Sequence, residues 1–139
     1  MLASCQTGGG SLPGEGVSGS GFSYLADIRN TASLTSMTPD PVLEKAAIRQ
    51  AGYMAAADRM AHDTGWRRDF ATRMKADGVA APAAENLAHG RMDMAKVFRM
   101  WMDSAGHRRN MLDPRFGRYG LAHATAADGR RYWALVLGK

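Results

Sequence analysis

Apolar residues recur at helical spacing in four stretches of the chain, and the clearest of these follows Asp40. Asp40 is typical of a helix N-cap, Pro41 of the first helical position and Glu44 of the first turn. Small apolar residues then form a single stripe, which predicts a long helix over Pro41–Ala61. This helix is expected to deliver His62 at its C-terminal end.

Shorter patterns predict three further helices. Apolar spacing indicates a short helix that starts near Phe22 and another over Trp66–Lys75. Asp93 is typical of the N-cap of a fourth helix, which Gly106 is expected to end. The expected buried face of that fourth helix consists of Met94, Val97, Phe98 and Trp101.

The C-terminal part of the chain changes to a strand pattern. Tyr119–Thr125 and Arg131–Leu137 are strand-like, and Asp128-Gly129 between them is typical of a hairpin turn. Both faces of the second strand are apolar, so the sheet should be covered on both sides. With Leu87-Ala88 as an edge strand, the pattern predicts an α+β fold, a three-layer α/β/α sandwich around a small central antiparallel sheet.

Length and composition limit the classes of function. The chain has 139 residues, 18 Lys+Arg against 13 Asp+Glu and one cysteine, and its formal net charge is +5. The basic residues are dispersed, which argues against a nucleic-acid-binding arm. A single cysteine excludes an internal disulfide framework, and no apolar stretch is long enough for a transmembrane segment. A monomeric single domain is expected.

The N-terminal residues have the composition of an anchor and a tether. Leu2-Ala3-Ser4-Cys5 has the form of a bacterial lipobox, and Gln6–Gly21 is rich in glycine and serine. Residues 1–21 are therefore predicted to form a flexible tether, and residues 22–139 the folded domain. Cys5 is either a lipidation site that holds the protein in the cell envelope or an incidental free thiol.

Three side chains are the main candidates for chemistry: His62, Glu85 and His107. Two imidazoles and a carboxylate could hold a zinc ion with an open coordination position, or act as acid and base. They could also hydrogen-bond to each other and fix the loops, and the residues alone favour this structural interpretation. Ser104 lies close to His107 but lacks the GxSxG context of a serine hydrolase, so a helix-capping role is expected for it.

Three further polar residues are weaker candidates for chemistry, because no recognisable motif surrounds them. Asp103 is expected to face water, and His89 and His123 are expected to be surface or hydrogen-bonded residues.

The order of several motifs resembles a known family. Glu85-Asn86-Leu87-Ala88 is followed by the run Trp101–Leu112, which contains Ser104-Ala105-Gly106-His107-Arg108, and then by Tyr119-Gly120-Leu121. This order resembles the CAP superfamily (cysteine-rich secretory, antigen 5 and pathogenesis-related proteins), in its disulfide-free bacterial SCP-like form. The resemblance covers residues 22–139 and implies an α/β/α sandwich, in agreement with the strand pattern.

The resemblance also implies a central cavity lined by two histidines and two acidic residues, in which the histidines can hold zinc or another divalent cation. By motif, His62 and His107 match the histidines and Glu85 matches the first acid. Ser104 stands where the family has its second acid, which removes one charge from the cavity.

Two functions follow as expectations, beside a purely structural role at the cell surface. The first is an extracytoplasmic, non-catalytic module that binds a small apolar ligand, a lipid, an envelope polymer or a partner protein. The alternative is a zinc-assisted, peptidase-like hydrolase that uses His62, His107 and Glu85.

Overall fold

The computed structural model describes residues 10–139. Helices within this range are α1 (Ser18–Thr31), α2 (Pro41–Ala57), α3 (Phe70–Ala76), α4 (Met94–Asp103) and α5 (Ala105–Met111). Strands within it are β1 (Gly14–Gly16), β2 (Thr38–Pro39), β3 (Ala83–Gly90), β4 (Arg118–Thr125) and β5 (Arg131–Gly138). None of the helices in residues 10–139 is both long and apolar enough to cross a bilayer.

The strands form one sheet in the order β1-β4-β5-β3, and the short β2 pairs in parallel with the beginning of β4. All other pairings among the described strands are antiparallel. The hairpin of β4 and β5 is the centre of the sheet, and β3 lies at one edge, hydrogen-bonded to β5 alone among the described strands. The predicted hairpin and the predicted edge strand at Leu87-Ala88 are confirmed.

Side chains of β5 alternate between two cores, one on each face of the sheet. Tyr132, Ala134 and Val136 pack against α2. The alternate residues of β5, Trp133, Leu135 and Leu137, pack against the layer of α1, α4 and α5. The predicted α/β/α sandwich is therefore confirmed, with an apolar core in each interlayer space.

The α2 helix begins as predicted, because Asp40 accepts hydrogen bonds from the backbone N–H groups of Val42 and Leu43. It ends at Ala57, not at Ala61. Asp58 adopts the left-handed conformation with φ 49°, and its N–H closes the last turn. Aspartate adopts this conformation more readily than most residues, so the helix ends without the glycine that would have indicated its end in the sequence. His62 consequently lies in the loop between α2 and α3.

The predicted third and fourth helices also need correction. Asp69 caps α3 through the Thr72 N–H, so this helix begins at Phe70 and leaves Trp66 in the preceding loop. The predicted fourth helix is two helices, because Ser104 has extended backbone between α4 and α5. Gly106 does not end a helix and lies within α5.

The folded part of the chain starts earlier than Phe22. Gly14–Gly16 forms β1 against β4, and α1 starts at Ser18. Glycines in this segment permit close packing: a Cβ on Gly16 would lie 2.3 Å from a Glu44 carboxylate oxygen, and one on Gly21 would lie 2.6 Å from Leu121. The prediction of a flexible tether is therefore wrong for residues 14–21. Cys5 and the rest of residues 1–9 lie outside the described part of the chain.

Candidate functional site

The carboxylate of Glu85 is buried in a bidentate ion pair with Arg73. Glu85 lies on β3 and its side chain is 1% exposed, and the Arg73 side chain on α3 is 3% exposed. Nη1 of Arg73 donates to Oε2 at 2.9 Å and Nη2 donates to Oε1 at 2.8 Å. This parallel pair of charge-assisted hydrogen bonds fixes the carboxylate in one orientation.

Arg73 also holds the loop that carries His62. Its Nη2 donates to the backbone carbonyl of His62 at 2.9 Å, and its Nε donates to the carbonyl of Arg68 at 2.8 Å. One guanidinium therefore joins β3, α3 and the loop between α2 and α3. Sequence reasoning gave Arg73 no role at the site, because its partners are brought together only by the fold.

The imidazole of His62 completes this arrangement. Its Nδ1 lies 2.9 Å from Oε1 of Glu85. Since a carboxylate only accepts, Nδ1 of His62 donates the proton in this hydrogen bond. The side chain is 54% exposed, so Nε2 can meet a ligand from solvent. The structure thus joins two of the three predicted site residues directly.

His107 approaches from the opposite layer of the sandwich. Neighbouring residues of a strand point to opposite faces, so Asn86 lies on the α5 side and Glu85 on the α2 side. Buried Asn86 donates to the His107 carbonyl at 3.0 Å and accepts from Asn110 at 2.9 Å, which fastens α5 to β3. Because β3 is an edge strand, side chains from both layers can meet around its outer edge.

Two features of its surroundings lower the pKa of the His107 imidazole. Burial lowers the pKa of the His107 imidazole below its ordinary value, and the nearby His62 lowers that pKa further. His107 is therefore expected to be neutral at pH 7.

The donor set does not fit a catalytic zinc site. Such sites take three protein ligands and leave one position open. Both oxygens of Glu85 are already engaged by Arg73, and one of them also by His62. Within residues 10–139, no group of three His, Cys, Asp or Glu side chains is arranged to hold a metal ion. Two imidazoles remain, one ligand short of that requirement.

Residues 22–137 match the family model for the cysteine-rich secretory protein family, CAP. The chain belongs to the CAP family. A relative, the uncharacterized protein YkwD of Bacillus subtilis strain 168, is 29% identical over 101 residues. The match covers 72% of this chain and 39% of YkwD, so this CAP domain spans well under half the length of that relative.

Solved structures share the fold of this CAP domain. An outer surface protein of Borrelia burgdorferi has a TM-score of 0.74 at 19% identity, covering 91% of this chain and 98% of that one. An extracellular protein of Bacillus anthracis that contains an SCP domain has a TM-score of 0.71 at 24% identity, covering 85% and 39%. A cysteine-rich secretory protein of Staphylococcus aureus has a TM-score of 0.68 at 16% identity, covering 86% and 37%.

Ser104, at the position where the family pattern has its second acid, is half-buried between α4 and α5. Its hydroxyl makes no capping hydrogen bond, which corrects the predicted capping role, although its carbonyl accepts from the Arg108 N–H in the first turn of α5. The neighbouring Asp103 is exposed, as expected.

The two remaining histidines of this CAP domain have structural contacts elsewhere. His89 stacks on Tyr132 with ring centroids 5.5 Å apart. His123 packs edge-on against Trp133 at 4.8 Å and lies 3.7 Å from the Glu15 carboxylate.

A second candidate site, which sequence reasoning missed, is an apolar groove between α1 and α4. Its first lobe, of about 350 Å³, is lined by Tyr24, Asp27, Ile28, Ala95, Phe98, Arg99, Met102 and Asp103. Its second lobe, of about 410 Å³, is lined by Asp27, Ile28, Thr31, Ala32, Met102 and Leu112. The lobes share three lining residues, and their walls are largely apolar. Each lobe has the volume of a small-molecule site.

Proposed function

We propose that this protein is an extracytoplasmic, non-catalytic binding module whose groove between α1 and α4 (the α1–α4 groove) takes the hydrocarbon chain of a lipid or another small apolar ligand. The observation that carries the proposal is the groove itself. Tyr24 stacks on the buried Phe98 with centroids 5.5 Å apart and is 38% exposed, so the Tyr24 ring faces solvent in the wall of the groove. Exposed apolar surface of this kind is characteristic of ligand-binding grooves.

The groove also has the shape that a chain ligand requires. Ile28 and Met102 line both lobes, so an apolar surface continues from one lobe into the other along the two helices. Each methylene group of a ligand that leaves water there gains about 0.8 kcal/mol. A linear hydrocarbon is therefore the ligand class that gains most from this groove.

The hydrogen bonds of the Glu85 carboxylate argue against a catalytic role. A general base needs a carboxylate that can approach a water molecule or substrate, and both oxygens of this buried carboxylate are hydrogen-bonded within the protein. Because the carboxylate only accepts in these hydrogen bonds, it has no proton to give as a general acid.

An envelope location is part of the proposal. The structural neighbours are described as an outer surface protein, an extracellular protein and a cysteine-rich secretory protein. We propose that this chain works in the same kind of compartment, anchored through a lipid on Cys5 or secreted. Mass spectrometry of the protein produced in a bacterial host tests the anchor, since a diacylglycerol on Cys5 adds a defined mass.

Blocking the groove is the test of ligand binding. Ala95→Phe places a ring in the first lobe and is expected to weaken binding of a fluorescent dodecyl-chain probe at least about tenfold, because each excluded methylene costs about 0.8 kcal/mol. Ala57→Phe, at an exposed position at the end of α2, is the matched control and should leave the affinity unchanged. Failure of the unmodified protein to bind the probe, or equal binding by both variants, would contradict the proposal.

The alternative function, a zinc-assisted hydrolase, makes a different prediction. With two imidazoles as ligands, calorimetric titration with Zn²⁺ is expected to show weak binding, which His107→Ala abolishes. His89→Ala is the control, because the His89 ring packs on Tyr132. Tight stoichiometric binding that needs both His62 and His107, together with peptidase activity lost in both variants, would favour the hydrolase instead.

A further inference from the structure

We infer that the α1–α4 groove selects amphiphiles with a positively charged, ammonium-bearing headgroup. This inference rests on the proposed function, because it names the headgroup of the ligand whose hydrocarbon chain the groove would bind. It is carried by the charged side chains that line the groove and by the aromatic pair in its wall.

Two carboxylates stand where the groove opens to solvent. Asp27 lines both lobes and Asp103 lines the first, and both are exposed. Among the described residues, Arg99 is the one cation lining either lobe. Arg99 and Asp103 are four residues apart on α4, yet neither side chain makes an ion pair or hydrogen bond with a described residue, and the same is true of the Asp27 side chain. Both carboxylates are therefore available to a ligand.

The position of Asp27 decides where a headgroup would lie. Asp27 is common to the two lobes, together with Ile28 and Met102. A hydrocarbon chain lying in either lobe can therefore place its polar end at this carboxylate. Arg99 lines the first lobe only. A chain in the second lobe therefore meets the Asp27 carboxylate, and no cationic side chain is among the described residues that line this lobe.

The aromatic side chains of the groove also favour a positively charged headgroup. The Tyr24 and Phe98 rings are nearly parallel, at 10°, in the wall of the first lobe. The face of an aromatic ring attracts cations, and quaternary ammonium groups are bound in proteins by such rings together with carboxylates. An anionic headgroup would meet repulsion from both aspartates and gain nothing from the rings.

The net charge of the protein makes a preference for cationic headgroups easy to distinguish from non-specific electrostatic binding. The chain carries +5 overall, so non-specific electrostatic attraction favours anionic amphiphiles. Preference for a cationic headgroup would run against that general attraction and would have to originate locally, at Asp27 and Asp103.

Competition among three dodecyl amphiphiles tests the inference. Dodecyltrimethylammonium, dodecyl sulfate and dodecyl maltoside, each below its critical micelle concentration, compete with an uncharged fluorescent probe on the full chain. The cationic amphiphile is expected to bind about tenfold more tightly than the anionic one, with the maltoside between them. In the variant Asp27→Asn/Asp103→Asn, this ratio should fall to about one or reverse, and the maltoside affinity should not change.

The control variant removes the same number of charges elsewhere. Glu15→Gln/Asp128→Asn changes two carboxylates that line neither lobe, so it matches the change in net charge and should retain the tenfold ratio. Equal binding of all three amphiphiles, tighter binding of dodecyl sulfate, or an equal effect of both double variants would overturn the headgroup inference and leave the proposed function standing. If neither the charged amphiphiles nor the maltoside binds, both the headgroup inference and the proposed function are overturned.

Discussion

Replacement of Glu85 by alanine is expected to lower the free energy of unfolding by about 3–5 kcal/mol, because it leaves the buried Arg73 guanidinium without its counter-charge. Arg73 would keep its bonds to the His62 and Arg68 carbonyls, but two of its four hydrogen bonds would be lost. The loop carrying His62 should loosen as a result. Urea unfolding followed by circular dichroism measures the loss, with the m-value showing whether the transition stays two-state.

Two companion variants test the structural role of Glu85. His62→Ala removes the exposed partner of the carboxylate and is expected to cost about 1 kcal/mol or less, as is usual for a solvent-exposed ion pair. Arg73→Met/Glu85→Leu replaces both buried charges by apolar side chains and is expected to recover much of the stability lost in Glu85→Ala. A cost for Glu85→Ala as small as that for His62→Ala would contradict the structural role.

The sequence was sufficient for the sheet and for the start of the longest helix. The hairpin of β4 and β5 follows from local alternation and the Asp128-Gly129 turn, and α2 begins where Asp40 and Pro41 place it. These features depend on residues that are neighbours in the chain. The family resemblance added the expectation that Glu85 and the histidines share one cavity.

Other features depend on contacts that sequence patterns do not show. Glycines at the N-terminus have the composition of a linker, yet Gly16 and Gly21 allow the chain to pass close to Glu44 and Leu121. The Arg73–Glu85 ion pair joins a helix to a strand, so the spacing of residues within either element does not predict it. The α1–α4 groove lies between helices that are distant in the sequence, and the pattern of each helix alone shows only which residues are apolar.

Gly120→Ala is expected to destabilise the fold by at least about 3 kcal/mol, and it tests what the Tyr119-Gly120-Leu121 motif does. Gly120 is buried in β4 beneath the first turns of α2. A Cβ at this position would lie 2.1 Å from the backbone N of Glu44 and 2.1 Å from the backbone carbonyl carbon of Leu43. Backbone atoms cannot turn away as a side chain can, so α2 would have to move off the sheet.

Displacement of α2 would spread through the core on that face. The helix packs on β4 and β5 through small residues such as Ala46 and Ala47, which bring it close to the strands. Thermal and urea unfolding of Gly120→Ala should show the loss, or the variant should fail to fold. Gly106→Ala is the matched control: a Cβ there meets open space within helix α5, and the change should stabilise the protein by about 0.5–1 kcal/mol. Equal stability of the two variants would show that contact between Gly120 and α2 does not set the distance between helix and sheet.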